Sequence, residues 1–179
     1  MTDESLMAKV SEGHLDHAAI LYERYHLRIY NFFLKLTFNK EISQDLMQNV
    51  FLRILNHRKT FKPKYMFTSW IYKIAKNVYS DHFKKEGRFR LNFKDLKELN
   101  EEAYSLLEEK EKAEQVEILQ KALAKLGEEH REVLIMTRYQ KLKNKEVAAI
   151  LNCKENAVKA KVHRAMKKLR NAYFEIENN

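Results

Sequence analysis

From Ala18 to Leu36 the apolar side chains fall at Ala18, Leu21, Tyr22, Tyr25, Ile29, Phe32, Phe33 and Leu36, a three-and-four spacing that gathers them on one face of a helix. A second helix is predicted after Asn39, a residue suited to N-capping, and runs to about Leu55. Its inward stripe is Ile42, Leu46, Val50 and Ile54, and its opposite face carries Asp45, Gln48 and Asn49. His57 to Met66 is basic and holds the single proline, Pro63, so a loop or broken helix is expected there. A third helix follows from Phe67 to Lys85. It buries Phe67, Trp70, Ile71, Ile74, Ala75 and Val78 and leaves Lys73, Lys76, Asn77, Ser80 and Lys84 on the other side. Three such helices can close one core.

Periodicity is lost from Gly87 to about Leu107, where negative charge accumulates and a linker with room for a short helix is expected. It returns with Val116, Leu119, Leu123 and Leu126 and stops at Gly127, whose tolerance of positive φ suits a helix end. A further helix is predicted from about Glu129 to Tyr139. The pattern therefore gives an all-α protein with two small helical domains, 1–86 and 113–179, joined by an acidic linker at 87–112.

Composition supports this and narrows the partners. Only 3 Gly and 1 Pro occur in 179 residues, which leaves little to punctuate strands, and a 45 % apolar content suffices for packed cores. The net charge of +9 points to an anionic partner, nucleic acid or an acidic membrane surface. That charge is uneven. Asp95 to Glu117 holds nine acidic residues against three lysines, a net of −6, so the remainder carries +15. Neither a signal peptide near Met1 to Val10 nor a run of roughly 20 apolar residues is present, so a cytoplasmic protein without membrane insertion is expected. The lone Cys153 has no partner for a disulfide or zinc site. His14 and His17 lack a carboxylate at ligand spacing, and no phosphate loop occurs. No catalytic residue, metal or cofactor is therefore expected, and enzymatic activity is set aside.

The segment Lys143 to Arg170 reads as a helix-turn-helix. Asn144 is placed to cap a short helix with Val147, Ala148 and Leu151 inward, and Asn152 is one of the few non-glycine residues that enter the left-handed region cheaply at a tight turn. A second helix starts near Glu155, with Val158, Val162, Ala165 and Leu169 inward. Asn156, Lys159, Lys161, Arg164, Lys167 and Lys168 project outward, and no acidic residue occurs from Asn156 to Tyr173. A solvated surface helix would mix signs. Such a helix can enter a major groove, its first residues meeting base edges and its later cations neutralising phosphates. Asn156 and Lys159 are the expected base readers, with Lys154, Lys161 and Arg164 completing the contact set.

Two blocks together resemble the extracytoplasmic-function sigma factors of RNA polymerase, over about Ala18 to Tyr173. Ser43-Gln-Asp-Leu-Met-Gln-Asn-Val-Phe-Leu-Arg-Ile is similar to the family's polymerase-binding segment, with Asp45, Gln48 and Phe51 matching and Asn49 standing where Glu is usual. The departure removes one negative charge from a face expected to meet a basic coiled coil of the polymerase largest subunit. Phe67 to Lys85 is similar to the promoter-opening segment through Trp70, Ile74, Ala75, Asn77 and Asp81, with Lys84 and Lys85 in place of arginines. Leu119 to Leu169 is similar to the domain that reads the upstream promoter element, with Gly127 where proline is usual. The resemblance implies that Tyr65 and Phe67 wall in a flipped base. Lys62, Lys64, Lys73, Lys76, Asn77 and Lys84 would then hold the melted strand. It further implies RNA polymerase core as partner, through the largest-subunit coiled coil and the flap of the second-largest subunit. Promoter DNA, an anti-sigma factor and a free chain that is monomeric complete the implied partners and state. Trp70 fits a core anchor better than a stacking platform.

The competing readings are a stand-alone helix-turn-helix regulator acting as a dimer without polymerase, and a helical adaptor for acidic proteins. The first leaves the Asp45 face and the Trp70 segment without a purpose, and the second predicts no sequence preference on DNA.

Overall fold

A computed structural model describes residues 1–86 and 110–178. The acidic connector expected at 87–112 thus lies outside the described residues, apart from its last few positions, which are helical. Every regular element among the described residues is helical.

The first group opens with α1 (Asp3–Glu12), which hydropathy spacing alone did not predict. Its local signals are nonetheless present: Thr2 accepts the N–H of Ser5 at 3.2 Å, and Gly13 ends the helix at φ 110°. Leu6, Met7 and Val10 are fully buried. Helix α2 (Asp16–Thr37) and helix α3 (Lys40–Asn56) form an antiparallel pair, and Asn39 caps α3 by accepting the N–H of Ile42 at 2.8 Å, as predicted. A 3₁₀ turn at Arg58–Thr60 and a loop through Pro63 lead to α4 (Phe67–Glu86). Helix α1 fixes the start of α4. The carboxylate of Glu4 accepts the N–H of Phe67 at 3.0 Å, one of the amides a helix cannot satisfy itself.

The second group comprises α5 (Lys110–Lys125), α6 (Glu128–Leu134), α7 (Asn144–Leu151) and α8 (Glu155–Glu177). A single π-helical turn, Ile135–Tyr139, extends α6. Two capping expectations are corrected. Gly127 has φ −60° and stands before α6, its carbonyl accepting the N–H groups of His130 and Arg131, so α5 ends without a left-handed glycine. Asn144 is already helical, and the cap of α7 is Lys143, whose N–H donates to the Glu146 carboxylate at 2.8 Å. Asn152 adopts the left-handed conformation (φ 51°) expected of the turn between α7 and α8.

The two groups pack directly on each other. Helix α4 lies against α7, and one apolar core runs through both groups, with Tyr72, Ala75 and Tyr79 of α4 buried beside Ile135, Met136, Val147 and Ile150. Polar contacts cross the same boundary. Arg131 donates to the carbonyl of Leu36 at 3.0 Å, and the hydroxyl of Tyr72 donates to the side chain of Gln140 at 2.7 Å.

Candidate nucleic-acid and polymerase-binding surfaces

Helix α8 buries Val158, Ala165 and Ala172, which turns Asn156, Ala160, His163 and Lys167 straight outward. Lys154, at the helix entrance, and Lys159, one turn in, are also exposed, so Asn156 and Lys159 have the access that base reading requires. Lys161 points sideways. It is ion-paired with Glu129 of α6, which tethers the helix-turn-helix to its support. Arg164 is exposed on the same flank as Lys168, and burial together with these two cations holds His130 below its ordinary pKa.

The other flank of α8 borders a cleft of about 950 Å³. Lys159 and His163 line it from α8, and Arg138 of the π-helical turn, Lys141 and Lys143 of the loop after it and Lys145 at the start of α7 line it from the other side. Glu155 is the one carboxylate on its walls, and it stands 4.0 Å from Lys159. Sequence reasoning assigned none of these four further cations to binding. The alternation of Lys141, Lys143 and Lys145 was visible, but only the left-handed turn at Lys141 (φ 55°) brings the segment round to face α8.

In the first group, Glu41, Asp45, Gln48 and Leu52 succeed one another along the exposed face of α3, at helical intervals of four, three and four. Leu52, which sequence reasoning passed over, is 61 % exposed at the end of this polar row. Asn49 accepts from Arg53 at 3.3 Å, and Arg53 in turn pairs with Asp81 of α4 at 2.9 Å. Phe51 is half-buried with its ring 4.8 Å from that of Tyr22, beside an apolar pocket of about 200 Å³ between α2 and α3.

The expected strand-binding residues separate. Lys62, Lys64, Tyr65, Lys73, Asn77 and Lys84 are exposed, with the ammonium of Lys64 5.1 Å from the Tyr65 ring. Phe67 is fully buried, which corrects its expected part in walling in a base. Trp70 is half-buried against Phe61 and Phe67 at 5.2 and 6.0 Å, in keeping with an anchoring role. Lys76 is half-buried and lies 3.9 Å from Glu132 of α6.

These surfaces coincide with two known family profiles. Residues 21–89 match Sigma-70 region 2 and residues 116–169 match Sigma-70, region 4, together more than half of the chain. The chain belongs to the extracytoplasmic-function sigma factors. It is 28 % identical to RNA polymerase sigma factor YlaC of Bacillus subtilis over 88 % of this chain and 92 % of that one. To ECF RNA polymerase sigma factor SigX of the same organism it is 29 % identical, over 84 % and 80 % of the two chains. Among solved structures, CnrH in complex with the cytosolic domain of CnrY superposes with a TM-score of 0.72 at 21 % identity, covering 94 % of this chain and 95 % of that chain. The sigma factor RpoE, solved with the anti-sigma factor NepR from Bartonella quintana, gives 0.65 at 18 % identity over 86 % and 94 %.

A sigma factor makes and breaks no bonds. It binds RNA polymerase core and directs promoter-specific initiation, so its chemistry is a set of binding preferences, and its charges are the means. Most of them are solvated, but among the described residues Arg131, Glu132 and Glu146 are buried, and burial shifts the first two. Glu132 is pushed up to about 7 by burial, against the opposing pull of Lys76, and burial lowers the Arg131 guanidinium from its ordinary value. Arg131 and Glu132 lie where the two groups of helices meet. No helix among the described residues is long and apolar enough to cross a membrane.

Proposed function

We propose that this sigma factor reads the upstream promoter element with α8, docks on the polymerase largest subunit through the α3 face, and holds the melted strand with α4 and the loop before it. One observation carries the reading. The same chain presents a recognition helix beside a cleft whose charged lining is five cations, Arg138, Lys141, Lys143, Lys145 and Lys159, against the single carboxylate of Glu155, and, on a separate helix, an exposed acidic and amide row ending in Leu52. The first suits a phosphate backbone and the second a basic protein surface. A stand-alone regulator would use only the first.

Asn156 and Lys159 meet base edges in this reading. Lys154, Arg164 and the cleft cations Arg138, Lys141, Lys143 and Lys145 take phosphates, while Lys161 holds α8 on α6. On α3, Asp45, Gln48 and Asn49 rim the contact and Leu52 and Phe51 supply its apolar centre, the arrangement of an interface hot spot. The flap of the second-largest subunit is taken as the second polymerase contact. Tyr65 is the aromatic available to a flipped base, with Lys62, Lys64, Lys73, Asn77 and Lys84 along the strand. An anti-sigma factor belongs to the reading because the free chain, as a cytoplasmic monomer, exposes all of these faces. Likeness to sigma factors solved with such partners supports it.

The test is binding to RNA polymerase core, wild type against Asp45→Arg, followed by run-off transcription on upstream DNA from the host. Loss of binding on charge reversal together with core-dependent initiation is expected. Core binding that survives Asp45→Arg would remove α3 from the interface. Sequence-selective DNA binding without any core binding would move the chain to the stand-alone regulators.

A further inference from the structure

The start of α4 is not held by its own sequence. A helix leaves its first N–H groups without partners and favours a negative charge beside them, yet the first turn of α4 contains no acidic residue. Met66, which stands ahead of the helix and whose carbonyl accepts the N–H of Trp70 at 3.2 Å, has no side-chain oxygen to cap with. Both needs are met from α1. Glu4 brings its carboxylate to the N–H of Phe67 at 3.0 Å, from 63 residues away along the chain.

A second link starts from the preceding residue of α1. Asp3 accepts the hydroxyl proton of Tyr25 at 2.6 Å, and the Tyr25 oxygen lies 3.1 Å from the hydroxyl of Thr68 in the first turn of α4. Burial and the bond to Asp3 push the Tyr25 phenol up from its ordinary value, so Tyr25 keeps its proton for Asp3 and Thr68 donates to Tyr25. The other Asp3 oxygen pairs with Arg24 at 2.6 Å. Leu6, Met7 and Val10 are fully buried, so α1 is itself a fixed platform.

What the two links steady is the loop in front of α4. Phe61 and Phe67 are both buried, and within the loop between them the N–H of Tyr65 closes a turn on the carbonyl of Lys62 at 3.0 Å. Tyr65 and Met66 are 57 % and 48 % exposed, immediately before the amide that Glu4 holds. An exposed ring selects among bases by where it stands, and that requires supporting contacts that hold it to within about 0.5 Å. The loop ends are where such support must act, and α1 supplies it at one of them.

We propose that α1 is the positioning element for base capture: Glu4 and the Asp3–Tyr25–Thr68 relay hold the first turn of α4 so that Tyr65 and Met66 present one fixed wall to the flipped base. Glu4 is then a specificity determinant of promoter opening that acts through the loop and not by touching DNA. The inference rests on the reading that the loop before α4 takes the base.

The experiment is run-off transcription by core polymerase carrying the full-length chain, from a promoter it directs, with the melted element randomised and the transcripts sequenced. A second pool randomised in the upstream element serves as reference, and hydrogen exchange of the backbone from Phe61 to Trp70 is followed in parallel. Glu4→Ala should weaken the preference for the captured base about fivefold, the effect of one net hydrogen bond, and leave the upstream preferences as in wild type. Glu4→Gln, which keeps an acceptor oxygen, should restore most of that preference. Tyr25→Phe keeps the buried ring beside Phe67 and should move the preference in the same direction as Glu4→Ala, so the relay is tested even where Glu4→Ala folds poorly. Tyr65→Ala marks the position that the loop reads. Full preference in Glu4→Ala and Tyr25→Phe, at a position where Tyr65→Ala has lost it, would overturn the positioning role. Equal loss in both pools would reduce Glu4 to a general stabiliser and overturn it as well. If Tyr65→Ala changes no preference while Glu4→Ala speeds exchange at Phe67, the assignment of the loop to the base fails and the link from α1 to α4 stands.

Discussion

If the cleft beside α8 holds a phosphate backbone, its lysines must show in the salt dependence of DNA binding and not merely in affinity. The clean perturbation is Lys141→Asn with Lys143→Gln. Asn tolerates the left-handed backbone of position 141, and Lys143→Gln retains the backbone N–H that donates to Glu146, so neither change disturbs the turn. Each phosphate contact removed lowers the slope of log K against log salt by about 0.9, so the pair should make the slope shallower by about 1.8. Between 50 and 200 mM salt, a span of about 0.6 in log units, the disadvantage of the variant should shrink roughly twelvefold. The assay is a salt titration of the chain bound to polymerase core on duplex carrying its upstream element, with Asn156→Ala for comparison. That variant should lose sequence preference at one or two positions while keeping the wild-type slope. Parallel slopes for wild type and the lysine variant would refute the reasoning and return the cleft to solvent.

Three further outcomes follow from the packing. Arg131→Ala orphans the carbonyls of Leu36, Ala124 and Leu126, at about 1 kcal/mol each, and should lower Tm by about 8 °C in a thermal melt. Glu132 binds its proton more tightly in the folded chain than in the unfolded one, having risen from 4.5 to about 7. Folding is thus favoured fully below about 4.5, and that contribution is lost as pH rises through about 7, by about 3 kcal/mol at most, with Lys76 and Glu128 as the facing charges. Melts at pH 5 and pH 8 should therefore differ less for Glu132→Gln than for wild type. Gly127→Ser supplies a capping hydroxyl at a position with ordinary φ and open space for a Cβ, and should raise Tm by about 2–4 °C.

What could be read in the sequence was what depends on neighbours along the chain. The stripes of α2, α3 and α4 follow from three-and-four spacing, and the caps at Asn39 and the turn at Asn152 follow from what Asn side chains and backbones do locally. Helix α1 escaped because its apolar residues are too few to make a pattern, although Thr2 and Gly13 marked both of its ends. Phe67, rightly placed on the buried stripe of its helix, was wrongly given a second part in walling in a base, for the opposite reason. Residue type made it eligible to stack on a base, and only the packing of Phe61, Tyr25 and Trp70 around it decides that it is core.

The surfaces divide in the same way. A helix face such as Asp45 and Gln48, or Asn156 and Lys159, is set by its own helix and could be located in advance. The cleft needs the left-handed turn at Lys141 to fold one basic segment back onto another, and the contacts between the two groups need residues about 60 to 110 positions apart, Lys76 with Glu132 and Arg28 with Gln140. No period along the chain encodes such a meeting. Charge arithmetic could show two basic bodies around an acidic connector. It could not show that Glu132 of α6 meets Lys76 of α4 across the boundary between the two groups, where a single glutamate faces a single lysine.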